Sequence, residues 1–442
     1  MKSNVDTLII PRWLVPVVPE GQVLENHALA ISEGLITAIV PASEAATITA
    51  AETIELPQHV LLPGLVNMHG HAPMSLLRGF ADDQPLMPWL EEHIWPAESR
   101  HLSSEFVRDG TDLALSEMLL SGTTCFSDMY FFPNIVAEQA QQAGIRCQLS
   151  FPIFDFPSAW GNDADDYISK GLALRDDFKH SNLVSVVFGP HAPYTVNDDA
   201  LQKVATLANE LDLPVHIHLH ETGAEVTEAL QATGLRPLAK LNELGLIGPR
   251  TQCVHMTALN DEEITLLADA GAHVIHCPES NMKLASGRCP VSKLLAAGVN
   301  VALGTDSAAS NNDLSLLGEM RSAALLAKLG EEDASALPAA TVLTMATLNG
   351  ARAMGLQDHI GSLEPGKYAD LIAVDLAQPG TQPVYNPISQ LVYAVQASQV
   401  SHSWVNGNAL LRDRKLTRMD VADVLQRAAD WGDRIANSRN ST

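Results

Sequence analysis

Hydrophobic and polar positions change rhythm twice along this chain. Over the first sixty residues, short β-rich runs (TLIIPRWLVPV, HALAISEGLITAIV, ATITAAETIELP) are broken by Gly and Pro turns, which predicts a few antiparallel strands. Similar material returns in YADLIAVDL and SHSWVNGNALLRDRKL. Both chain ends are therefore expected to build one small β domain, residues 1–60 with 362–442. Between them, short apolar runs alternate with helical patterns such as DDALQKVATLANELD and DEEITLLADAG, the signature of repeated βα units. Eight runs read as strands, around Leu61–Met68, Thr123–Met129, Arg146–Ile153, Val184–Gly189, Val215–Leu219, Thr251–Val254, His273–His276 and Asn300–Gly304. Gly271 and Gly298 stand where helix C-caps would precede the next strand. Eight β runs in series favour closure over an open sheet. The expected fold is α/β, a (β/α)8 TIM-type barrel over 61–361 with a composite β-sandwich domain from the two ends.

The polar breaks in this pattern fall at the C-terminal ends of the predicted strands, where barrel chemistry sits. The first strand ends in His69-Gly70-His71, the fourth at His191, the fifth in HIHLHE (His216, His218, His220, Glu221), the sixth at His255 and the eighth at Asp306. With 16 His in 442 residues, an H-x-H pair alone is expected by chance roughly 0.6 times, so placement carries the signal rather than the pair. Residues i and i+2 of a strand share a face, so His69 and His71 can aim at one ion. A third imidazole from strand five and a carboxylate from strand eight complete an N3O set that suits one Zn2+ with room for water, with Fe2+ second. His216, His218 and His220 also share a face, so alternation does not choose among them. His218 has the useful spacing, with Glu221 just past the strand end, whereas His216 lies deeper and His220 beyond the end. Gly70 is expected to relieve crowding where the strand reaches the ion.

Composition narrows the partners. Lys and Arg total 27 against 52 Asp and Glu, a net charge of -25, which disfavours nucleic acid and anionic membranes. No apolar run of membrane-spanning length occurs, and the N-terminal stretch, interrupted by Asp6, Arg12 and prolines, is unlike a secretory signal. The five cysteines form no C-x-x-C pair and read as buried thiols, so a cytoplasmic location is expected.

PGLVNMHGHAPMSLLRG, HIHLHE, CVH, HCPESNMKLASG and LGTDSA together resemble the amidohydrolase superfamily, in its aminohydrolase branch of nucleoside, guanine and cytosine deaminases and triazine hydrolases. LMPWLEEHIWPAE resembles the branch's 5-methylthioadenosine/S-adenosylhomocysteine deaminases. The resemblance implies a metal held by His69, His71, His218 and Asp306, with Glu221 passing a proton to the substrate ring and His255 orienting the attacking hydroxide. It also implies that Glu98 accepts hydrogen bonds from a ribose diol, that His191 contacts base or sugar, and that the family forms homo-oligomers. Trp89 and Trp95 are expected to wall the pocket. A substrate-contacting arginine downstream of Arg146 has no counterpart in FPIFDFPSAWGNDADD. The bridging lysine of two-metal relatives is missing from VSVVFGPHAPYTV, so a single metal is expected, and the H-x-E … P-C-x-x-C signature of another deaminase class is missing too. The implied reaction is hydrolysis at C6 of an adenine nucleoside (5′-methylthioadenosine, S-adenosylhomocysteine or adenosine) by a zinc-activated hydroxide. Asp306 would bind the ion through one oxygen and take the water proton on the other. Guanine, 8-oxoguanine, cytosine or triazine hydrolysis is the rival within the enzyme class, and a non-catalytic binding barrel is the rival outside it. Lys283 and Ser286 are expected only to organise a loop.

Overall fold

The computed structural model of the protein describes residues 4–439. Eight strands lie side by side in chain order: Leu65–Asn67, Thr123–Asp128, Arg146–Ile153, Val184–Pro190, Val215–Leu219, Thr251–His255, His273–His276 and Asn300–Leu303. The Met68 N–H donates to the Leu303 carbonyl at 2.9 Å, bringing the first strand's end back to the last. This is the expected barrel. Arg146–Ile153 and Val215–Leu219 are buried at every position, as parallel strands covered on both faces must be.

Helices return the chain between strands, and their ends follow local chemistry. The helix Asp198–Leu211 starts where the Asn197 side chain accepts the Ala200 N–H, satisfying a donor that lacks an intrahelical partner. Asp261–Ala270 begins with a capping box between Asn260 and Glu263 and ends at Gly271, φ 69°.

The first barrel strand is shorter than its apolar run suggests. Thr49–Pro63 is a separate strand, running parallel to Asn4–Leu14 and antiparallel to Leu371–Asp375. Only Leu65–Asn67 joins the barrel. Gly64 stands at the break, where an added Cβ would lie 1.9 Å from Thr124 Oγ1. One hydrophobic stretch thus serves two sheets, which periodicity cannot divide. The remaining barrel strands match the sequence reading to within a residue.

The terminal segments form one nine-stranded sheet, mostly antiparallel, with apolar side chains such as Ile9, Leu29, Ile31, Leu61, Leu371 and Trp404 in a shared core. Two compact units result. One holds residues 4–67, 117–125 and 315–419; the other holds 68–116, 126–314 and 420–439. Residues 421–439, grouped with the β domain by sequence, form a helix in the second unit, where Trp431 Nε1 donates to Asp109 at 2.8 Å. Among the described residues, no helix is long and apolar enough to cross a membrane.

Candidate metal centre and active site

The strand ends of the second unit bring His69, His71, His218, Glu221, His255 and Asp306 around one point. His69 Nε2 lies 3.4 Å from Asp306 Oδ1, His71 Nε2 3.3 Å from the same oxygen, and His218 Nε2 3.2 Å from His69 Nε2. An ion bonded at roughly 2.0–2.1 Å to four tetrahedral donors would separate them by about 3.3 Å. Three of the separations thus match a tetrahedral zinc site, and three imidazoles with a carboxylate are donors that zinc takes. His69, His218 and His255 form a second tight group sharing two of these rings.

Each imidazole is backed on its other nitrogen. His71 Nδ1 faces the Met129 carbonyl at 2.5 Å and His218 Nδ1 the His191 carbonyl at 2.8 Å. Carbonyls only accept, so both rings carry their proton on Nδ1 and present Nε2 to the ion position. His69 Nδ1 instead meets His216 Nε2 at 2.9 Å. Burial pushes His69 and His218 well below the ordinary imidazole range, keeping them neutral as ligands must be. At His71 burial also disfavours charge, but Asp306 and the Met129 carbonyl outweigh it and raise the group to about 9.

Asp306 closes the group from a backbone at φ 62°. Burial alone would raise its carboxyl, yet the two facing imidazoles hold it well below the usual range. Its Oδ2 accepts from Ser280 Oγ at 2.6 Å and Ser310 Oγ at 2.8 Å, while Oδ1 accepts the Ser307 N–H at 2.8 Å. The second oxygen is therefore not free, in contrast to the sequence expectation, because a buried carboxylate needs its lone pairs satisfied. Crowding also lies elsewhere than expected. A Cβ on Gly70 would meet nothing nearer than 3.5 Å, whereas one on Gly304 would lie 2.7 Å from the His69 nitrogen.

Glu221 is buried beside this group, its Oε2 3.8 Å from His255 Nε2. Burial, helped by the Asp306 charge, raises its pKa. Its backbone is pinned, since Glu225 accepts the His220 N–H at 3.0 Å and the Glu221 N–H at 2.7 Å. His255 Nδ1 faces Asn281 Oδ1 at 2.9 Å, which turns Nε2 toward Glu221.

A cavity of about 740 Å3 opens above these residues, lined also by Trp89, Trp95, Glu98, Tyr130 and His191. Tyr130 donates to Glu98 Oε1 at 2.6 Å, and burial raises the Glu98 carboxyl to about 6. Trp89 is buried with an Nε1–H that has no partner among the described residues. His191 packs on Phe154 and meets Thr195 Oγ1 at 3.0 Å. Burial lowers it to about 3, so it is neutral. Arg146 sits at the opposite end of its strand, bonded to the Asn182 carbonyl, and the pocket end carries Phe154, Phe156 and Pro157. His220 lies beyond its strand, facing the Ala258 carbonyl at 3.2 Å. Lys283 ties Asp82 to the Ala309 carbonyl, a loop contact.

Tyr130, Glu225, Asn281, Ser280 and Ser310 escape a reading of the sequence. Ser280 and Asn281 stand within the quoted HCPESNMKLASG segment, yet each of the five matters only through a partner distant in the chain or on the next helical turn.

Residues 60–410 match the model of the amidohydrolase family. A 5-methylthioadenosine/S-adenosylhomocysteine deaminase of Teredinibacter turnerae is 51% identical over 438 residues, covering 99% of each chain. The structure of an adenosine deaminase from Xanthomonas campestris with bound zinc superposes with a TM-score of 0.98 at 49% identity, over 99% of this chain and 100% of the other. The zinc-containing atrazine chlorohydrolase of Arthrobacter aurescens shares the fold, with a TM-score of 0.90 at 23% identity over 96% and 99% of the two chains.

Proposed function

The chain belongs to the amidohydrolase family, and on that premise we propose that it is a zinc-dependent aminohydrolase releasing ammonia from C6 of an adenine nucleoside. 5′-Methylthioadenosine, S-adenosylhomocysteine and adenosine are the candidate substrates, since they share the reacting ring and the ribose. One observation carries the reading: Glu221, a buried carboxyl of raised pKa, has its Oε2 3.8 Å from Nε2 of His255, a ring that groups with the donors His69 and His218. The donors are His69, His71, His218 and Asp306. A zinc ion bound there lowers the pKa of its water toward about 7, supplying a nucleophile at neutral pH.

The residues of the chain do the rest. Glu221 enters protonated and donates to the purine N1, which makes C6 electrophilic. His255 directs the attacking oxygen through Nε2, held in that orientation by Asn281. Asp306 takes the proton released by that oxygen and returns it to the amino group, its carboxylate held in place by the Ser280 and Ser310 hydroxyls at Oδ2. The amino group takes up a proton and leaves as ammonia as the C6–N bond breaks. Glu98, fixed by Tyr130 through one oxygen, offers the other to the ribose diol. His191 and Trp89 line the sugar and base positions. Five buried cysteine thiols fit a reducing cytoplasm. No nucleic-acid or membrane partner is assigned, and homo-oligomerisation is carried over from the family resemblance.

The test is ammonia release from a purine-nucleoside panel with zinc-loaded protein. Glu221→Gln should retain zinc and fold but lose about 100- to 10,000-fold in turnover. Near-parental turnover in that variant overturns the assignment.

A further inference from the structure

Two of the three imidazoles at the ion position are backed by backbone carbonyls, which can only accept a proton. The third, His69, is backed by a side chain whose own proton must first be placed. His216 Nε2 lies 2.9 Å from His69 Nδ1, and the other face of the ring, His216 Nδ1, lies 2.8 Å from Gln252 Oε1. Gln252 is in turn paired with Gln148. Gln148 Nε2 donates to Gln252 Oε1 at 2.8 Å, and Gln252 Nε2 donates to Gln148 Oε1 at 3.2 Å. Gln148 Nε2 also reaches Ser127 Oγ at 3.1 Å. His216, Gln252 and Gln148 are all buried in the barrel interior, on the strands Val215–Leu219, Thr251–His255 and Arg146–Ile153.

Only one proton arrangement satisfies this chain and leaves His69 able to ligate. The amide oxygen of Gln252 accepts, so His216 carries its proton on Nδ1 and keeps a lone pair on Nε2. That lone pair accepts the His69 Nδ1–H, which leaves His69 Nε2 free for the ion. With the amide reversed, Gln252 would donate to His216 Nδ1 and move the ring proton to Nε2. His69 would then have to accept at Nδ1 and carry its proton on Nε2, where an ion belongs.

We propose that His216 is a positioning residue for the metal centre, and that the Gln148–Gln252 amide pair sets its tautomer and, through it, that of His69. The inference rests on His69 being a zinc ligand, the reading given above. Packing alone would explain a buried apolar residue here, but not a histidine whose two ring nitrogens are both committed.

The experiment is chelator competition for zinc on the full-length protein, with folding followed by circular dichroism. His216→Phe fills the space without an acceptor and should weaken zinc binding by about 10- to 100-fold. His216→Gln restores an acceptor near the Nε2 position and should bind close to the parent. Gln252→Met should weaken binding in the parent but add nothing in the His216→Phe background, since it acts through His216. Parental affinity in His216→Phe, or full additivity of the two losses, overturns the proposal. Should His216→Phe fail to fold, parental zinc affinity in Gln252→Met overturns it by itself. His69→Ala separates the two readings. Zinc retained there removes His69 from the ligand set, whereas zinc lost there but held normally by His216→Phe removes only the relay.

Discussion

Two carboxyls in the same pocket are pushed up by burial, and their neighbours give them opposite work. Burial raises the Glu221 carboxyl, and the nearby Asp306 charge raises it further against the lowering pull of His255 and the Ser286 hydroxyl, which suits it to give a proton. Glu98 accepts from Tyr130 and is brought only to about 6, so it is an anion at neutral pH and can accept a diol. The sign follows from the raised value: Glu98 loses its accepting charge as pH falls through about 6. kcat/KM for a nucleoside should therefore drop across that window, chiefly through KM. A Glu98→Gln variant should have a raised KM and lack this limb in a pH–rate profile. A free-base substrate should be indifferent to the change, which separates a nucleoside deaminase from its free-base rivals.

At the scale of elements, the strand ends turn sharply so that side chains project into the barrel mouth. His220, His255 and Asp306 each hold positive φ (50°, 76° and 62°), a backbone state that costs an ordinary residue about 1–3 kcal/mol. The surrounding hydrogen bonds offset that cost, as Glu225 does by accepting two consecutive N–H groups before its helix. Strand eight meets strand one just below the ion position, with Gly304 against the His69 backbone. Gly304→Ala should destabilise the fold by about 1–3 kcal/mol, measured by urea unfolding, and should displace His69 enough to reduce zinc content. Gly70→Ala, where an added Cβ meets only ordinary contacts, is the control and should change neither.

For the whole molecule, the proposed ligands come from strands one, five and eight, so an ion held by them would act as a clasp on the barrel. Anything that binds only the folded chain stabilises it by mass action, ~2.7 kcal/mol at a free concentration a hundred times Kd. Stripping zinc with a chelator should lower Tm, and restoring it should recover the loss. His69→Ala should start low and respond to neither treatment.

How much of this was legible in sequence depends on how local the signal is. The barrel strands could be read because a parallel strand covered on both faces is an apolar run, and because polar residues break such runs at the functional end. His69, His71, His218, Glu221, His255 and Asp306 are all of that kind. The division at Gly64 was not legible, since a hydrophobic run looks the same whether it feeds one sheet or two. Neither was the committed second oxygen of Asp306, nor the tight contact at Gly304.

The amino-acid order by itself determined the eightfold rhythm and which strand ends carry imidazole and carboxylate, because those follow from periodicity and residue type along a few neighbouring positions. Tertiary structure alone decided which nitrogen of each imidazole faces the ion, that Tyr130 holds Glu98, and that His216 stands on Gln252 rather than merely filling space. Those depend on partners 27 to 147 residues apart in the chain, whose meeting is fixed only when the barrel closes.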